Sequence, residues 1–274
     1  MKNNHKDVLF SASDHTWALC AYGESPYLED CIRSLEAQRV RSRIILSTAT
    51  PSPFIEEIAA KHGIPVYTHE GSGIGRDWNA AYDLAETRLM TIAHQDDLYE
   101  PAYVERMLEM LNESRDPIIF FTDYAELRGG ERVSENRNLK IKRMLLRPLR
   151  GRLLWNSRFV RRRSLSLGCA ICCPSVTYVK EKTGDTIFNT MLKTDLDWDQ
   201  WERQSRKKGA FVYAPEELML HRVHEGSETT RLIENHTRQK EDEEMFRRFW
   251  PGPIAKLIGR LYARSEESNR LERQ

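Results

Sequence analysis

Between Trp17 and Ala93 short apolar runs alternate with amphipathic segments, and nothing else in the sequence limits the fold so tightly. Trp17–Ala21, Arg43–Ser47, Ile64–Tyr67 and Arg88–Ala93 have the length and composition of strands. Leu28–Gln38, Phe54–His62 and Trp78–Thr87 read as helices. Leu28, Ile32 and Leu35 share one face of the first, and Gly63 closes the second. Arg88–Ala93 is apolar on both faces, which predicts an interior strand. Helix Tyr103–Asn112 and strand Ile118–Thr122 continue the alternation. Strands separated by helices pair in parallel and are covered on both sides. The expected fold is therefore α/β, a parallel sheet flanked by helices on both sides. The chain's 274 residues suit one such domain.

After Glu131 the pattern changes, which sets a boundary between 1–130 and 131–274. The net charge of +1 names no partner, but its distribution is uneven. Arg137–Arg163 holds eleven Lys or Arg and no Asp or Glu, leaving −10 for the rest of the chain. Beyond it, Leu165–Val179 is apolar, Phe211–Tyr213 and Leu218–His224 read as late strands, and Asn235–Trp250 reads as a charged helix. No apolar run approaches the roughly 18 residues of a membrane span, and the start lacks the apolar core of a secretory signal. Cys20, Cys31, Cys169, Cys172 and Cys173 are odd in number, and three crowd one apolar segment. That predicts reduced, buried thiols and a cytoplasmic protein. Cys169-x-x-Cys172 lacks the second Cys or His pair of a zinc site, so it reads as core packing.

The chemistry concentrates at Asp96-Asp97. Strand Arg88–Ala93 runs straight into His94-Gln95-Asp96-Asp97, and open parallel sheets bind ligands beyond the carboxyl ends of their strands. Two adjacent carboxylates at partial burial repel each other, and a divalent cation relieves that repulsion. A bland reading, a turn or cap before Pro101, is available. The buried strand in front favours a ligand site.

The segment Gly75-Arg76-Asp-Trp-Asn79-Ala-Ala, followed by Met90 to Asp97, resembles family 2 glycosyltransferases of the GT-A fold. So does the opening Cys20-Ala21-Tyr22-Gly-Glu24-Ser-Pro. Asp197-Trp-Asp-Gln-Trp-Glu-Arg203 is similar to the family's acidic acceptor motif, and His221-Arg-Val-His224-Glu-Gly-Ser227 to its C-terminal Arg-x-His segment. The resemblance makes the expected α/β fold a Rossmann-type open mixed sheet, mostly parallel and flanked by helices. It implies an inverting transfer of a sugar from a nucleotide-diphosphate sugar to an acceptor hydroxyl, with Mn2+ or Mg2+ as cofactor. It assigns Asp97 to the metal and Asp96 to the ribose or the same metal. Ala21, Tyr22, Glu24, Arg76 and Asn79 fall to the donor, and Asp197 to the catalytic base. Residues 1–130 would form the nucleotide-sugar half and 131–274 the acceptor half of one domain. One departure stands out. The family's acid after the second strand is missing from Leu46-Ser47-Thr48-Ala-Thr50, which leaves Ser47 or Thr48 to meet the base and the donor nucleotide open.

Other features are weighed against these. Gly71-x-Gly73-x-Gly75 resembles a dinucleotide fingerprint, but its third glycine would fall at Trp78 and it follows the third strand. Asp195, Asp197 and Asp199 would share a face in a strand and fan apart in a helix, where an acidic first turn is favoured by the dipole. His221 and His224 would point to opposite faces of a strand, with His224 the expected diphosphate or metal contact. The basic segment suits an anionic partner, a lipid-linked acceptor or a membrane surface, or simply a solvated face. Ile254–Tyr262 could likewise lie on a membrane or dock on the domain. Nucleic acid is not expected, because aromatics are not interleaved with the basic residues. Two rivals remain, a nucleotidyltransferase and a non-catalytic sugar-nucleotide-binding relative.

Overall fold

The computed structural model of the chain describes residues 9–71, 73–185, 187–224 and 237–271. Among the described residues nine strands form one sheet: β1 (His15–Ala21), β2 (Arg43–Thr48), β3 (Val66–Thr68), β4 (Leu89–His94), β5 (Leu98–Tyr99), β6 (Pro117–Arg128), β7 (Glu131–Val133), β8 (Val176–Val179) and β9 (Ala210–Val223). Their order is β3-β2-β1-β4-β8-β6-β9-β5, with β7 beside β6. The first four are mutually parallel, β8 runs against β4 and β6, and β9 is parallel to β6. The α/β expectation, a mixed and mostly parallel open sheet, is what forms.

Strand β1 shows why its run is continuously apolar. Trp17 and Leu19 enter one core layer and Ala18 the other, because successive side chains leave opposite faces. Helices cover both. On the Trp17 side lie α1 (Leu28–Glu36), α2 (Pro53–Lys61) and α4 (Tyr103–Glu113), and on the Ala18 side α3 (Ile74–Leu84) and α8 (Leu196–Ser205). α1 buries Leu28, Cys31, Ile32 and Leu35, one stripe at helical spacing. α2 begins at Pro53 after Ser52, whose hydroxyl accepts from the Ile55 N–H.

Three expectations change. The helix expected from Trp78 begins earlier, since α3 already starts at Ile74. Gly75 is helical, and a Cβ there would collide with the Leu196 side chain, so its smallness lets α3 approach α8. The two late strands are one strand, β9. Its ladder with β6 shifts register between Ala214 and Glu217, where Pro215 has no N–H to donate. The helix expected over Asn235–Trp250 is described as α9 (Thr237–Arg247). Asn235 and His236, like Glu225, Gly226 and Ser227 of the Arg-x-His segment, lie outside the described residues. The last helix is α10 (Gly252–Leu271), and among the described residues no helix is long and apolar enough to cross a membrane. Within Ile254–Tyr262, Ala255 is buried and Tyr262 packs edge-on to Phe246, whereas Leu257 and Leu261 stay exposed.

The basic segment folds into α5 (Arg137–Leu146), short 3-10 turns and α6 (Arg158–Leu165). Much of its charge is spent internally. Arg161 is 0 % exposed and donates to the Gly209 and Lys207 carbonyls. Arg162 pairs with Glu202, Arg163 lies over the Trp250 ring, and Arg143 holds Asp123 and Glu217. The acids that balance this segment come from elsewhere in the chain, which sequence proximity cannot reveal. A short helix, α7 (Lys180–Thr183), follows β8.

Candidate active site

Parallel strands β1, β2 and β4 deliver their carboxyl ends to one edge of the sheet, and the carboxylate pair stands there. After β4 the Asp97 N–H donates back to the His94 carbonyl at 3.1 Å, a turn that throws the two side chains apart. Asp96 is a quarter exposed, with its side chain at 25 %. Its Oδ1 accepts from the Ser25 hydroxyl at 2.6 Å, and its Oδ2 lies 3.2 Å from His224 Nε2. Asp97 is 1 % exposed. Its Oδ1 accepts the Arg222 N–H at 2.9 Å and faces His221 Nδ1 at 3.0 Å, while Oδ2 is buried without a hydrogen bond.

The end of β9 therefore folds over the pair. Arg222 donates through Nε to the Asp96 carbonyl at 2.8 Å and rests its guanidinium 4.1 Å from the Tyr27 ring centroid. Burial opposes protonation of His221, but the Asp97 carboxylate outweighs it and raises the imidazole's pKa. His94 goes the other way. Burial lowers its pKa, and the ring stacks on Trp78 at 5.1 Å.

The loop after β1 is clamped to the same turn. The Gln95 amide accepts from the Tyr22 N–H and donates to the Tyr22 carbonyl, at 3.0 and 2.9 Å. Ala21 is buried, while Tyr22 and Glu24 are exposed at the rim. After β2, Thr50 Oγ1 accepts from the Gly23 N–H at 2.8 Å. Ser47 is buried with its hydroxyl unbonded. Arg76 is exposed at the start of α3, beside Gly71. Asn79, expected at the donor, is buried on α3. Its amide bonds the Phe188 backbone, donating to the carbonyl and accepting from the N–H at 2.9 Å each, so it fixes a loop.

Asp197 stands in the first turn of α8, half buried. Its Oδ1 accepts the Trp198 N–H at 2.7 Å and its Oδ2 the Cys169 thiol at 3.4 Å. Burial raises its pKa, against the lowering effect of those donors and of the Lys142 charge. Asp195 is buried and its pKa is raised by burial and by Asp242. Asp199 is tied to Arg203 at 2.8 Å and to Arg248 at 2.6 Å. The helix thus separates the three acids.

Among the described residues no three His, Cys, Asp or Glu side chains converge as a metal cluster. Asp96 and His224 come together, whereas Asp97, expected as the metal ligand, turns inward to hold β9. Sequence reasoning missed Ser25, Gln95, Arg222 and Lys142. The first two sit in segments already singled out, and Arg222 lies inside the Arg-x-His motif. Lys142 was hidden in the basic run.

The profile of Glycosyl transferase family 2 matches residues 16–211, more than half of the chain. No curated protein matches it in sequence. Among solved structures, residues 1–349 of TarS from S. aureus in complex with UDP-GlcNAc are similar at a TM-score of 0.58 and 12 % identity, covering 89 % of this chain and 70 % of that one. Glucosyl-3-phosphoglycerate synthase from Mycobacterium tuberculosis, in complex with Mn2+ and UDP-glucose, is similar at 0.53 and 15 % identity, covering 85 % and 78 %. At these identities the likeness concerns the fold.

Proposed function

The chain belongs to glycosyl transferase family 2, and from that premise we propose that it transfers a sugar from a nucleotide-diphosphate sugar to an acceptor hydroxyl with inversion and with Mn2+ or Mg2+. The observation that carries the reading is the half-open carboxylate Asp96, set beyond β4 and held by Ser25 and His224. The donor set fits the cation. Mg2+ and Mn2+ take oxygen and imidazole ligands and need only one or two from the protein when phosphates supply the rest. Asp96 and His224 would hold it, and the buried Asp97 would keep β9 in place above them. When bound, such a cation neutralises charge on the departing diphosphate. The rim of Ala21, Tyr22, Glu24, Ser47 and Arg76 would take the nucleoside and phosphates. Asp197, with its raised pKa, would accept the acceptor's proton. The similar folds bind UDP-GlcNAc, UDP-glucose and phosphoglyceric acid. A UDP-sugar donor and a saccharide or lipid-linked acceptor are accordingly our reading for this chain, with hexosyl transfer on residues 1–130 and 131–274 acting as donor and acceptor halves. We place the activity in the cytoplasm, with peripheral contact at the inner membrane face.

The test is nucleotide binding followed by donor hydrolysis. UDP with Mn2+ is expected to raise the melting temperature more than UDP alone, because a ligand bound only by the folded state stabilises it. Asp96→Asn should lose that metal-dependent increment and weaken binding by about 10- to 100-fold, the usual cost of a disturbed metal site. Absence of any nucleoside-diphosphate binding, with no sugar released from any nucleotide sugar, would sink the reading.

A further inference from the structure

Lys142 lies on α5, in the basic segment whose other charges largely serve the fold. Its Nζ donates to the Tyr124 hydroxyl at 2.9 Å and stands 5.4 Å from that ring's centroid. An ammonium has three donors, and Tyr124 takes one. Among the described residues no carboxylate approaches Nζ to ion-pair distance. Glu126, on the same strand as Tyr124, is already bound by Arg128 and Asn136. Burial pushes the Tyr124 phenol up, so it stays neutral and offers no counter-charge. A half-buried ammonium with one neutral partner is costly unless an anion completes it.

Its position says which anion. The Tyr124 ring meets the His221 ring edge-on at 6.3 Å, and His221 in turn holds Asp97. On the other side the Lys142 charge favours the ionised form of Asp197. Lys142 therefore stands between the inner end of the carboxylate turn and the base, on an element of the acceptor half. We propose that Lys142 receives a phosphate or carboxylate group carried by the acceptor close to its attacking hydroxyl. This rests on the transfer reading above and narrows its acceptor to an anionic one. A lysine is a compact point charge, suited to a single oxyanion whose orientation is set elsewhere.

Inorganic phosphate is the probe. Calorimetric titration should show phosphate binding to the wild-type chain, at least about tenfold weaker binding to Lys142→Met, and near-normal binding to Lys142→Arg, since a charge-assisted hydrogen bond to the oxyanion is lost only in the first. UDP affinity should be the same in all three. On the unmodified chain, phosphate should protect Lys142 from acetylation by acetic anhydride, read by peptide mass, so the result does not depend on a variant folding. Equal phosphate binding by Lys142→Met, or no protection, overturns the proposal. So does competition between phosphate and UDP with both weakened in Lys142→Met, which would assign the group to the donor's diphosphate. The UDP arm on the wild-type chain reports separately on the transfer reading.

Discussion

Asp96-Asp97 and Asp195–Asp199 are both short acidic runs, and they are built differently. The first caps a buried parallel strand, so its two side chains emerge in a turn. One opens to the site and the other faces inward to β9. The second opens a helix, where a step of about 100° per residue sends each acid to a different neighbour. Asp195 goes into the core near Asp242, Asp197 to the Cys169 thiol, and Asp199 to Arg203 and Arg248. Glu241 on α9 accepts the N–H groups of Lys193, Thr194 and Asp195, anchoring the start of that helix from outside. A strand end keeps both carboxylates in one turn under the end of β9, and a helix start distributes them among separate neighbours.

The contrast breaks most sharply at Asp197. Asp197→Asn should retain nucleotide binding and lose transfer by about 10²- to 10⁴-fold, the usual worth of a positioned general base. Kinetics and UDP titration on the same sample decide it, and normal transfer would put the base elsewhere. Asp199→Asn should act on stability. A broken buried pair costs about 3–5 kcal/mol, but Arg203 is 41 % exposed and screened, so about 2 kcal/mol is expected. Urea melts measure this, and transfer by the folded fraction should persist. If Asp199→Asn is the variant that kills transfer in a stable protein, the two roles are exchanged.

The smallest effect sharpens the same comparison. Burial raises the folded pKa of Asp197, so the folded state holds its proton more firmly than the unfolded chain does. That contribution is present below the unfolded pKa and is lost as pH rises through the folded one. At neutral pH Asp197→Asn should therefore be slightly more stable than wild type, with the gain fading toward acid. A pH series of melting temperatures for both chains tests it, and a variant less stable at every pH would show that the carboxylate holds α8 together.

The first 130 residues were legible because their signals are local. Trp17 to Ala21, the Leu28 stripe and the run into Asp96 each state their element without reference to distant chain. The sequence also pointed to Asp96, Asp97, Asp197 and His224. Which aspartate turns inward was not readable, since it depends on Arg222 and His221 arriving from β9. The bond from Asn79 to the Phe188 backbone was not readable either, because a backbone partner carries no sequence signature. The basic segment misled for the same reason. No acid is interspersed among its eleven cations, yet Glu202, Asp123, Glu217 and Glu113 meet three of them, Arg162, Arg143 and Arg152, in space.

The bonds from Asp97 to Arg222 and from Asp96 to His224 span 125 and 128 residues. Closing loops of that length costs entropy that the contact returns only once both ends are in place. The local βα units on either side of the turn can form while the chain is still being made. A growing chain that has just released residue 150 holds β1 to β4 and both aspartates, but neither histidine nor the Arg222 backbone that fixes them. Completion of the carboxylate turn is thus a late event in synthesis, and a chain halted before β9 has the sheet edge without the site.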